Sequence, residues 1–123
     1  MIRIVGVQRN ELANREFVLL QNQGSLRIGL RGHVIMSESA LDNSDLANAA
    51  HAFTDDVLVP PGTYILLSSG AGHPRWVRTK DGTMVYYAYM NRVEPVWNLC
   101  VGPLHVLGTQ HTYAERANAV YLR

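Results

Sequence analysis

Apolar residues at every second position, cut by glycine and proline corners, predict an all-β sandwich or barrel. Three observations carry that prediction. Leu26, Ile28 and Leu30 alternate with Arg27, Gly29 and Arg31, the period of a half-buried strand. Met84 to Met90, MVYYAYM, is the run richest in β-favouring side chains. Turn signals such as Pro60-Pro61-Gly62 and Asp81-Gly82 recur at roughly 8–12 residues and delimit about seven to nine short strands. The chain has 123 residues, 47% of them hydrophobic, which fits one folded domain with one core over 1–123.

The elements follow in order. Ile2 to Val7 is rich in Ile and Val and predicts an N-terminal strand, and NELAN then reads as a turn. Glu16 to Asn22 is apolar on both faces in its middle, which fits a central, covered strand. Gly24 breaks it, and Gly32 interrupts the next run as a bulge or tight bend before HVIM. Ser37 to Ala52 is Ala- and Asn-rich. It reads as a loop holding one short helix near Asp45 to Ala50, with Asp42 or Ser44 as its cap and Phe53 anchoring its end.

Pro60-Pro61-Gly62 is a turn, because Pro fixes φ and Gly accepts positive φ. Thr63 to Ser68 follows as a strand, with Tyr64 and Leu66 opposite Ile65 and Leu67. GAGHPR is a loop. Trp76 to Arg78 predicts a short strand joined to Met84–Met90 by a hairpin through Asp81-Gly82. Trp97 to Cys100 and Leu104 to Leu107 are further short strands around Gly102-Pro103. In the tail, YAERANA has helical composition, while AVYLR reads as a sheet-closing strand.

Eleven basic and ten acidic residues give a net charge of +1, so no strong field for nucleic acid is present. Ten of the eleven basic residues are Arg, but they are scattered, as a solvated surface requires. Cys100 is the only cysteine, so the fold rests on its core rather than on an internal disulfide. MIRIVGV carries no signal-peptide pattern, and no apolar run approaches the ~18 residues of a membrane span. The expectation is a cytoplasmic protein without a membrane span; export as part of a longer parent chain fits the same residues.

The ordered motifs EFVLLQNQG, LRGHVI, LVPPGTYILLSSGAG, VWN and PLHVL resemble the lamin tail domain. This immunoglobulin-like module occurs at the end of nuclear lamins and in many bacterial proteins. The Glu-aromatic-Val strand ending in Asn is matched by Glu16, Phe17, Val18 and Asn22. The Leu-x-Gly step is matched by Leu30 and Gly32, with His33 where the family has Trp. The turn and the Gly-rich loop are matched by Pro61, Gly62 and Gly70 to Gly72. The likeness runs from about Ile2 to about Leu107. The insert Ser37 to Ala52 is longer than typical, and HTYAERANAVYLR has no family counterpart. The resemblance implies an immunoglobulin-like β-sandwich that binds a partner and carries no catalytic residues.

Candidate chemistry is sparse. The five histidines, His33, His51, His73, His105 and His111, lack the paired close spacing of zinc ligands; Cys100 with His105 and His111 comes nearest. Cys100, between Leu99 and Val101, reads as a small hydrophobe. Ser68 to Gly72 lacks the Lys-Ser/Thr of a phosphate loop, and Asp55-Asp56 lacks calcium-loop spacing. No metal or cofactor is expected. Trp76 and Trp97 read as core or half-buried anchors.

The tyrosines carry more. Tyr86 faces one side of its strand; Tyr87 and Tyr89 face the other, and only one side can cover the core. Tyr brings large area at low entropy cost to recognition surfaces. Arg75, Arg78 and Arg92 flank this strand in sequence, so Tyr87, Tyr89, Arg75, Arg78 and Arg92 form the candidate partner surface. The expected function is a non-enzymatic interaction module that binds a protein or itself. A small metal-dependent or cysteine hydrolase, and a nucleic-acid-binding accessory domain, are the alternatives.

Overall fold

The computed structural model describes residues 1–43, 46–100 and 102–109. Among these residues ten strands form a β-sandwich, the class that the alternation predicts. In chain order they are β1 (Ile2–Gln8), β2 (Phe17–Asn22), β3 (Ile28–Gly29), β4 (His33–Ser37), β5 (Ala50–Ala52), β6 (Leu58–Val59), β7 (Tyr64–Ser68), β8 (Arg75–Arg78), β9 (Met84–Tyr89) and β10 (Leu104–Gly108). One layer is a five-stranded sheet in the order β1-β2-β7-β9-β8. The other layer holds the sheet β10-β4-β5 and the pair β3-β6.

The chain leaves β7, crosses to the far edge as β8, and returns as β9 in the gap between them. β9 therefore pairs parallel with β7 and antiparallel with β8. The return is made by Asp81-Gly82, with Gly82 at φ +86, a conformation that glycine adopts without strain. Thr79 N–H donates to the Thr83 carbonyl at 2.8 Å and closes the hairpin.

Val18 and Leu20 of β2, Ile65 and Leu67 of β7, and Tyr86 and Ala88 of β9 point inward and are buried. Leu30, Ile35, Phe53 and Val59 meet them from the second layer, and Trp97 is fully buried in the same cluster. Each of these larger apolar side chains contributes about 1.5–3 kcal/mol by leaving water.

A buried carboxylate organises one end of the sandwich. Glu16 is fully buried just before β2. Its Oε1 accepts from Ser69 Oγ at 2.7 Å, Val96 N at 2.7 Å and Trp97 N at 2.9 Å. Its Oε2 accepts from Asn10 N at 3.4 Å. Four donors from three parts of the chain thus close on one side chain. Asn22, also fully buried, donates to the carbonyls of Leu26 and Val59 at 2.9 Å each.

Several expectations need correction. The segment after β4 holds two short helices, α1 (Glu38–Asn43) and α2 (Leu46–Ala49), rather than one. α1 starts directly from the strand, with Ser37 Oγ accepting the Ala40 N–H at 3.4 Å as its cap; Asp42 belongs to α1, and Ser44 and Asp45 lie outside the described residues. NELAN leads into a 3-10 turn at Ala13–Arg15. Trp97–Cys100 is not a strand: the Trp97 N–H is taken by Glu16, and the Cys100 N–H folds back to the Trp97 carbonyl at 3.1 Å. Leu26 lies outside the strand pairing and is 77% exposed. The tail readings YAERANA and AVYLR, with His111, lie outside the described residues.

Candidate functional site

The two faces of the five-stranded sheet differ in what covers them. The inner face packs on the second layer. The outer face is not covered by any layer of described residues, yet it is apolar. Pairing places Leu19 beside Leu66, and Leu66 beside Tyr87. Tyr64 sits between Gln21 and Val85, and Phe17 is next to Ser68, which adjoins Tyr89. These large side chains are half-buried, shielded by one another. Leu19, Tyr64, Leu66, Val85 and Tyr87, with the β8–β9 turn at Thr79–Thr83, line an open groove of about 570 Å³.

The phase of β9 is as the sequence predicts. Tyr86 is 6% exposed on the core side, while Tyr87 and Tyr89 are half-buried on the outer side. Arg75 joins them. Its Nη1 donates to the Tyr89 hydroxyl at 2.7 Å, and its guanidinium carbon lies 4.9 Å from the Tyr87 ring centroid. A cation over an exposed ring is worth about 0.5–1 kcal/mol, so the three side chains hold one another in place. Gly72 closes the end of this group, since a Cβ there would overlap the Tyr89 ring.

Two residues of the expected patch lie elsewhere. Arg78 pairs with Met84, so it projects to the face opposite Tyr87. Arg92 Nη2 donates to the Ala47 carbonyl at 3.0 Å, and its backbone N–H to Ser69 at 2.9 Å, which ties it to the α2 side of the molecule. The structure therefore gathers Tyr87, Tyr89 and Arg75, and separates Arg78 and Arg92 from them. Phe17, Leu19, Tyr64, Leu66 and Val85 belong to the same face, though sequence reasoning did not assign them to it. For Phe17 and Leu19 the signal is the doubly apolar EFVLLQN, which reads as a covered strand. Trp76 is also more open than an anchor, at 39% exposed, because β8 is the last strand of its sheet.

The polar groups elsewhere are dispersed. His105 Nε2 meets Glu38 Oε2 at 2.6 Å on the half-exposed edge of the second layer. Cys100 is half-buried, and its thiol donates to the Val96 carbonyl at 3.2 Å. Tyr86 donates to Asp55 at 2.8 Å; burial and this carboxylate both raise its hydroxyl pKa well above the ordinary tyrosine value. Burial lowers the His51 pKa, with Asp55 opposing and Arg92 reinforcing that shift. Among the described residues no three His, Cys, Asp or Glu side chains gather as metal ligands, and no helix is long and apolar enough to cross a membrane.

The Ser68–Gly72 loop has a structural task. Ser69 binds Glu16, and a Cβ at Gly70 would come within 2.7 Å of the Asn14 backbone. No protein-family model, curated protein or solved structure matches this chain.

Proposed function

We propose that this chain is a non-enzymatic interaction module of the lamin-tail, immunoglobulin-like type, which binds a protein partner through the outer face of its five-stranded sheet. The observation that carries this reading is the apolar character of that face. A solvated sheet face is normally polar. Here Leu19, Leu66, Val85 and Tyr87 form a continuous strip around an open groove. The Arg75–Tyr87–Tyr89 group adds to it, because side chains already held in place lose less freedom on binding. The resemblance supports the same reading: its matched residues Glu16, Asn22 and Gly70 all sit where segments of the sandwich close on one another.

The test places a charge on the face. Leu66→Glu and Tyr87→Glu are compared with the unaltered protein after circular dichroism establishes that each variant folds. Sedimentation over a concentration series reports self-association, and quantitative affinity capture reports partners. Loss of a specific association in both variants supports the reading. An association untouched by both, or none under any condition, overturns it.

A further inference from the structure

We propose that the free edge of β8 docks an acidic, extended peptide segment, which adds to the five-stranded sheet as a sixth strand. This rests on the reading above and names the kind of partner. β8 is the terminal strand of its sheet among the described residues. Its phase is set by the hairpin. Thr79 N–H bonds to Thr83, so Val77 with Val85 and Arg75 with Tyr87 are the hydrogen-bonded pairs facing β9. Trp76 and Arg78, between them, turn their N–H and C=O groups away from the sheet. Those four groups are a template for an incoming strand.

The side chains along this edge choose the partner. Arg75, Arg78 and Lys80 place three cations in six residues. Asp81 follows, but its carboxylate accepts from the Thr79 hydroxyl and the Thr83 N–H. Arg78 and Lys80 have no hydrogen-bond or ion-pair partner among the described residues, and Arg75 is held on the outer face by the tyrosines. Trp76 lies 5.1 Å from the Tyr86 ring and offers an apolar step beside the core. A second copy of this chain is a poor occupant. In-register parallel pairing of β8 with β8 would align three cations against three, which destabilises a sheet. An antiparallel copy centred on Val77 sets Arg78 opposite Trp76, Arg75 opposite Thr79 and Lys80 opposite Pro74, with no acid for any of the three cations.

An antiparallel partner can be written residue by residue. Acid stands opposite Lys80, Arg78 and Arg75, apolar residues opposite Val77 and Trp76, and Thr opposite Thr79. The sequence is Glu-Thr-Glu-Val-Val-Glu. The residues opposite Arg78 and Trp76 exchange both backbone hydrogen bonds with them.

The probe is that hexapeptide, acetylated and amidated, titrated into the full chain. Chemical shifts of the Trp76 and Arg78 amides and Trp fluorescence report binding, with buried Trp97 as the internal reference. The expected result is saturable binding below about 1 mM. Methylating the two peptide nitrogens opposite Trp76 and Arg78 weakens it at least tenfold, and so does exchanging the three Glu for Lys. The N-methyl peptide tests the backbone pairing on unaltered protein, so misfolding cannot mimic the result. Arg78→Glu with Lys80→Glu weakens binding similarly. No binding at 1 mM overturns the proposal, as does undiminished binding of the N-methyl peptide. Equal binding of a twelve-residue oligothymidylate also overturns it, because it would mark a site for polyanions. If the peptide fails while Leu66→Glu still abolishes an association, only the edge is wrong; if both fail, the interaction face is wrong too.

Discussion

Replacing Glu16 separates two accounts of what holds the sandwich closed. Three buried donors converge on Oε1: the Ser69 hydroxyl and the Val96 and Trp97 N–H groups. Glu16→Ala leaves all three without an acceptor. Each orphaned buried donor costs about 1–3 kcal/mol, so the change costs about 3–9 kcal/mol. Against the ~5–15 kcal/mol that holds an ordinary domain together, that is a large share of the total.

Glu16→Gln keeps the shape and one carbonyl oxygen. Each bond then falls from the charge-assisted range of about 1.5–3 kcal/mol to the neutral range of about 0.5–1.5 kcal/mol. Over three bonds the loss is about 3 kcal/mol. Urea unfolding at constant pH, followed by far-ultraviolet circular dichroism and Trp fluorescence, measures both. The expected order is wild type, then Gln, then Ala, each step resolved. If Gln and Ala are equivalent, and both cost less than about 1 kcal/mol, the carboxylate is not the closing element and the reasoning fails.

Other outcomes follow from the same geometry. Gly72→Ala forces Tyr89 aside and should cost about 1–3 kcal/mol, with loss of the Arg75–Tyr89 contact visible in the Tyr89 ring resonances. Tyr86→Phe removes the hydroxyl that donates to Asp55, and thermal unfolding should register a loss of about 1–2 kcal/mol, moderated by the partial exposure of Asp55. The depressed His51 pKa means that the unfolded chain takes up its proton first. Stability is therefore complete above pH 6.5 and declines as pH falls below it, and His51→Gln should flatten that part of the denaturation profile.

What could be read from the residues was local. The phase of Met84–Tyr89 was legible because alternation alone separates Tyr86 from Tyr87 and Tyr89. The hairpin at Asp81-Gly82 was legible from its turn residues. The position of Arg78 was not, since its face depends on the register across that hairpin, and being near the tyrosines in sequence says nothing of parity. The partners of Glu16 were invisible: Ser69 is 53 residues away and Val96 is 80. The sequence shows Trp97 as an anchor, but Trp97–Cys100 is not the strand its residues suggest, because apolar character reports burial and the Trp97 N–H turns to a carboxylate. α1 was missed because its cap, Ser37, is also the last residue of a strand.

The outer face and the β8 edge make one surface rather than two. Arg75 is a strand-edge residue whose side chain crosses toward the outer face and fixes Tyr87 and Tyr89. A strand added to β8 sets an acid beside Arg75 and an apolar residue beside Val77, at the rim of the apolar strip that runs from Leu19 through Leu66 to Tyr87. Edge pairing supplies direction and register, because backbone hydrogen bonds are made at fixed intervals. The face supplies most of the area removed from water, and area of that kind stabilises an interface by about 25 cal/mol per Å² before the costs of association. A partner that contributes an acidic strand followed by an apolar surface would engage both. Charge at Leu66 and charge reversal at Arg78 would then weaken its binding by amounts that do not simply add, since each contact holds the partner in place for the other.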